Sequence, residues 1–193
     1  MYEIGNIFNK DVPKLSLRQR RLVLGCLLGR GTIIKPPGNR GCYFCIHQSK
    51  REDINVLAYK AAELKQFGRA TAIIEDANSV KWYSTTSVIW DELYELCYKN
   101  GKKELNMRWL DDLSSLSFMI WFMDLARGKE LLSLNVGKFL KQKDLLCEYF
   151  DQIGIPATIN DKRLDFDATS TEKFLKVIYQ DTPEYLLYRL QSY

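Results

Sequence analysis

The sequence predicts an α+β protein of two lobes packed along two central helices. Three observations predict it. Val23-Leu-Gly-Cys-Leu-Leu-Gly-Arg-Gly31 and Leu116-Ser-Phe-Met-Ile-Trp-Phe-Met-Asp-Leu-Ala-Arg-Gly128 are apolar helical stretches with small residues. Gly25 and Gly29 stand four apart and so share one helix face. Each glycine inside a helix costs about 1 kcal/mol relative to alanine, so two on one face imply that another backbone comes close. Around these stretches, helical and strand patterns follow the same order twice.

Residues 1–14 read as an irregular N-terminal extension. Ser16 is placed to N-cap a helix from Leu17 to about Leu28. Its early Arg18, Arg20 and Arg21 are either a solvated face or a phosphate contact. Thr32–Lys35 and Cys42–Ser49 read as strands around the turn at Pro36–Gly41. Residues 51–66 have a helical apolar face of Ile54, Leu57, Ala58, Ala61, Ala62 and Leu64. Ala70–Glu75 and Val80–Thr86 form a second hairpin, and Val88–Asn100 a helix. Gly101–Asn106 is the link.

The order then recurs in shorter form. A central helix covers about Ser114–Arg127, and a strand Leu131–Val136. A helix follows over Lys138–Ile153, stopped by Gly154. Ala157–Asn160 and Arg163–Ala168 make a tight hairpin, and helices cover Ser170–Gln180 and Glu184–Leu190. The division is therefore 1–14, a first repeat 15–112 and a second, shortened repeat 113–193.

Composition narrows the function. The 193 residues are 46 % hydrophobic and 27 % charged, as in an ordinary globular protein. No apolar run reaches the ~20 residues that span a bilayer. The first residues lack a basic start and an apolar core, so no signal peptide is expected. Five scattered cysteines suit a reducing compartment, cytoplasm or organellar matrix, rather than secretion. The net charge is +4, unevenly divided. Residues 1–112 carry 18 Lys and Arg against 13 Asp and Glu; residues 113–193 carry 10 against 11. A basic first half suits phosphate contacts.

Several pieces resemble the LAGLIDADG homing endonuclease family in its single-chain, two-repeat form. They are Leu24-Gly-Cys-Leu-Leu-Gly-Arg-Gly31, Phe44-Cys-Ile-His-Gln-Ser49, Trp82-Tyr-Ser-Thr-Thr-Ser87, Tyr98-Lys-Asn-Gly-Lys-Lys103, Trp121-Phe-Met-Asp124 and Pro183-Glu-Tyr-Leu-Leu-Tyr-Arg-Leu190. The resemblance implies two pseudo-symmetric αββαββα lobes in a monomer. Their sheets would form a saddle in the major groove of double-stranded DNA. It also implies an acid near the end of each central helix, holding divalent metal.

Here that pattern is broken. The first acidic position is Arg30. The second is Leu125 or Arg127, depending on the register. A guanidinium cannot ligate Mg²⁺, which takes oxygen ligands, but suits a phosphate oxygen. The expectation is a DNA binder without metal, cofactor or cleavage, serving transcriptional regulation. Arg30 and Arg127 would supply charge at the helix ends. Lys35, Arg40, His47, Gln48 and Lys50, then Arg69, Lys81, Tyr83 and Thr85, then Lys162 and Arg163 would meet the groove. One pleat slip would invert such a list.

Asp124 is the residual candidate for cleavage. It stands one residue from the expected place, a turn of about 100° on a helix. The alternatives are an RNA-binding intron maturase, an Mg-dependent endonuclease with a displaced acid, and a protein-interaction module. The spacing of Cys42, Cys45 and His47 looks metal-like, but a strand sends Cys42 to the opposite face from the other two. Trp90, Trp109 and Trp121 read as core, with Trp82 left open on its hairpin.

Overall fold

The computed structural model describes residues 13–38, 40–49, 54–128, 130–191 and 193. The first lobe runs α1 (Leu17–Leu28), β1 (Gly31–Ile34), β2 (Tyr43–Ser49), α2 (Ile54–Glu63), β3 (Gly68–Glu75), β4 (Ser79–Ser84) and α3 (Val88–Cys97). A linking segment holds β5 (Tyr98–Lys99), β6 (Lys102–Lys103) and α4 (Met107–Asp111). The second lobe repeats the order with α5 (Ser115–Leu125), β7 (Ala126–Arg127), β8 (Ser133–Asn135), α6 (Lys143–Gln152), β9 (Thr158–Asn160), β10 (Arg163–Asp165) and α7 (Ala168–Tyr179). Both lobes are αββαββα. Their antiparallel sheets are ordered β1-β2-β4-β3 and β7-β8-β10-β9.

The molecule is built around α1 against α5. Ser16 and Gln19 form a reciprocal capping box that starts α1. A Cβ on Gly25 would lie 2.5 Å from the Ser117 carbonyl oxygen, and one on Gly29 would collide with the Asp124 carboxylate. The glycines are therefore there for close approach, as their spacing predicts. The Ser117 hydroxyl donates across the interface to the Arg21 carbonyl at 2.8 Å.

Several element boundaries need correction. The link is no plain loop. Asn100 and Gly101, both at positive φ, close a two-residue hairpin. Asn106 then caps α4 by accepting from the Trp109 N–H. The α6 region begins as a 3-10 turn, Gly137–Gln142, because Phe139 leaves helical backbone while its ring packs on Trp109. Glu184–Arg189 is likewise 3-10. Strand β10 stops at Asp165, and Asp167 caps α7, accepting from the Ser170 N–H at 2.7 Å. On α2 the buried face is Val56, Leu57 and Lys60, whereas Ile54, Ala58 and Ala62 are exposed. Trp82, Trp90, Trp109 and Trp121 are all buried.

Among the described residues no helix is long and apolar enough to cross a membrane.

Candidate functional site

The two central helices end side by side at a cavity of about 350 Å³. Leu28, Arg30, Thr32 and His47 line it from the first lobe, and Leu125, Arg127, Asn135 and Lys138 from the second. Thr32 and Arg127 hold matching places, each the exposed second residue of the strand that leaves its helix. Two residues earlier stand Arg30 and Leu125. Counted from the strands, Leu125 matches Arg30; counted from the helix ends at Leu28 and Leu125, Arg127 does, and its side chain reaches the cavity.

Cations gather at the α1 end. The Lys138 ammonium crosses from the second lobe and donates to the Gly29 carbonyl at 2.9 Å. Lys103 donates to the carbonyls of Leu27 at 2.7 Å and Gly31 at 2.5 Å. The last carbonyls of a helix lack intrahelical donors and carry partial negative charge, so these lysines complete α1. Burial lowers the pKa of Lys138, with Arg30 adding to the effect. Burial, and then the charge of Lys138, bring Lys103 down to about 7. His47 is lowered by desolvation and then by Lys81 and Arg30.

Asp124, beside the helix ends, does not line the cavity. The Asp124 side chain is buried; it forms an ion pair with Lys60 and accepts from the Arg30 backbone N–H at 2.9 Å. Lys60 is equally buried. It lies four residues after Val56 and four before Leu64, the spacing of one helix face; that was the signal that could have placed it inside.

The pleat decides which expected residues share a surface. On β2, Phe44, Ile46 and Gln48 face the core, and Tyr43, Cys45 and His47 face outward. Gln48 is 1 % exposed, so the expectation that it meets the groove beside His47 fails: neighbours on a strand point to opposite faces. Cross-strand partners share a face, so Lys81 stands beside His47, and Tyr83 beside Cys45.

Arg69 joins this surface with its guanidinium over the rings of Tyr43 (4.6 Å) and Tyr83 (5.1 Å). Its Nε donates to the Ser84 carbonyl at 2.8 Å. In the second sheet Arg127, Asn135 and Arg163 share the outer face, with Asp165 4.0 Å from Arg163. Lys162 is exposed in the β9–β10 turn.

Other expected contacts lie off these faces. Thr85 follows β4, and its hydroxyl donates to the Phe67 carbonyl, which takes it out of the sheet surface. Lys35 follows β1, paired with Glu95 at 3.2 Å. Arg40 is exposed in the β1–β2 loop, and Lys50 lies outside the described residues. Arg18 and Arg20, at the far end of α1, pair with Glu63 and Asp112. Tyr43, Asn135, Lys60, Lys103 and Lys138 were missed by sequence reasoning. Tyr43 had a period-2 signal, but the tertiary contacts of Lys103 and Lys138 had none.

The model of the LAGLIDADG DNA endonuclease family matches residues 20–174. The chain belongs to that family. Among solved structures, the LAGLIDADG fold recurs in the homing endonuclease I-WcaI bound to its DNA recognition sequence. The TM-score is 0.78 at 15 % identity, over 97 % of this chain and 95 % of that one. The homing endonuclease I-DmoI in complex with DNA and Mn gives a TM-score of 0.52 at 14 % identity, over 86 % and 99 %. The N-terminal LAGLIDADG domain of DUF199/WhiA gives 0.53 at 13 %, over 93 % and 90 %. No curated protein matches the chain.

The divalent metal that the LAGLIDADG resemblance implies does not fit this cavity. Hard cations take oxygen ligands, carboxylates foremost. The lining offers two guanidinium groups, an ammonium and an imidazole, and its side-chain oxygens are the Thr32 hydroxyl and the Asn135 amide. Among the described residues no group of three or more His, Cys, Asp or Glu could hold a metal ion.

Proposed function

We propose that this chain is a sequence-specific reader of double-stranded DNA that does not cleave it, and that it serves transcriptional regulation. One observation carries this reading: among the described residues, the cavity between the helix ends is lined by Arg30, Arg127, Lys138 and His47 and by no carboxylate. Guanidinium groups bind phosphate oxygens with paired, charge-assisted hydrogen bonds. A phosphate seated there gains its counter-charge from the chain itself. Without two placed acids, the metal-assisted displacement that cuts a phosphodiester has no scaffold. The outer faces of both sheets border the same cavity, and a β-ribbon fits the major groove. The two lobes of a monomer would read the two halves of one asymmetric site.

Selection from a random duplex pool at about 150 mM salt with EDTA throughout tests this, since phosphate-dominated binding falls steeply with salt. Recovery of one asymmetric motif, bound with equal affinity with and without Mg²⁺ and left uncut, is the expected result. Loss of binding in EDTA, or cleavage in Mg²⁺ that Asp124→Ala abolishes, would overturn it. Enrichment of structured RNA over duplex would point to the maturase instead.

A further inference from the structure

We propose that Asp124 and Lys60 are positioning residues for Arg30, with the Lys60 ammonium acting as a resident cation on the Asp124 carboxylate. The inference rests on the DNA-reading proposal for its functional readout. Three segments meet at the Asp124 carboxylate. One oxygen pairs with Lys60 of α2, and the other accepts the Arg30 N–H at 2.9 Å. The gap left by the missing side chain of Gly29 receives the carboxylate.

Both side chains are 0 % exposed, although one belongs to the first lobe and the other to the second. A buried charge without a partner is strongly destabilising, whereas a buried pair replaced on both sides is tolerated. Lys60 is therefore what allows a carboxylate to sit under the cavity without a metal ion. The carboxylate in turn fixes the peptide that carries Arg30. This sets the origin of the side chain at the cavity wall, where a free turn after a helix would let it wander. The acid serves the arginine and is withdrawn from ligation.

Two charge-neutral backgrounds separate this role from packing. Lys60→Met with Asp124→Asn keeps an oxygen acceptor for the Arg30 N–H; Lys60→Met with Asp124→Leu removes it. Arg30→Ala is introduced into the wild type and into each background, and affinity for the selected duplex is measured. Loss of one phosphate contact weakens binding about tenfold and lowers the salt slope by about one. That full loss is expected in the wild type and in the Asn background. In the Leu background the loss should fall below about twofold, because the Arg30 N–H has lost the acceptor that fixes its peptide.

Equal losses in both backgrounds would overturn the proposal. Failure of the wild type to bind duplex would instead overturn the DNA-reading proposal. A measurement on the native protein covers backgrounds that fail to fold. The Arg30 amide should exchange with solvent at least about a hundredfold slower than a free peptide, as for a part-buried, hydrogen-bonded N–H. Exchange at the free rate would overturn the positioning role.

Discussion

The two lobes repeat one order of elements yet spend their residues differently. The first-lobe strands β1 to β4 have 4, 7, 8 and 6 residues. Those of the second, β7 to β10, have 2, 3, 3 and 3. What the second lobe lacks in sheet it replaces with aromatic packing: Phe150 touches the rings of Phe118, Trp121, Phe166 and Phe174. The comparison separates two jobs of a strand. Its inward face closes the core and survives at three residues. Its outward face supplies a surface, and that surface is long in one lobe only.

The largest expected effect breaks the smaller lobe. Phe150→Ala removes the ring at the centre of the cluster and should cost about 3–5 kcal/mol, the range for a fully buried Phe, read as a shifted midpoint of urea unfolding. Next comes the contrast between two outward arginines. Arg69→Ala removes a guanidinium pre-set by Tyr43, Tyr83 and the Ser84 carbonyl. Repeating the duplex selection should show preference lost at one base pair, about 1–3 kcal/mol of discrimination. Arg163→Ala removes an arginine that already faces Asp165, and should weaken all sequences alike by a smaller amount. Loss of base preference with Arg163→Ala and none with Arg69→Ala would invert the assignment of the two lobes.

The smallest effect is a pH dependence at the seam. Lys103 titrates at about 7 in the folded chain against its usual 10.5, because burial and then Lys138 disfavour its charge. The unfolded chain keeps that proton up to the usual value, so unfolding takes up a proton between the two. Stability owed to this group therefore rises with pH through that window. Below it, the full cost of burying the charge is present. A neutral amine still has hydrogens for both carbonyls. Urea midpoints at pH 6 and pH 9 should show the wild type gaining on Lys103→Met at the higher pH; no relative change would remove the effect.

Much of this was legible in the chain. Gly25 and Gly29 announced the helix contact because a helix interior penalises glycine unless a neighbour needs the space. Arg30 stood out because its type contradicts the motif around it. The long first-lobe strands showed by alternation, whereas β7 at two residues has too few positions to show a period. The face of β2 was not readable, since Tyr43, Cys45 and His47 and their alternates Phe44, Ile46 and Gln48 mix polarity on both sides. Lys60 was missed because lysine belongs in water unless a distant partner calls it inside, and Asp124 lies 64 residues away. Asp167 looked like a strand residue until the cap of α7 claimed it.

The bond from Lys138 to the Gly29 carbonyl has a mechanical consequence. With the Ser117 bond to Arg21, it stitches the lobes at both ends of the helix pair. The two sheets are then jaws of a caliper that has been locked. One inserted base pair displaces everything beyond it by about 3.4 Å and turns it by roughly a tenth of a helical turn. If the chain reads duplex DNA as proposed, a locked caliper has no slack for either, and the distance between the two half-sites would itself be part of what is read.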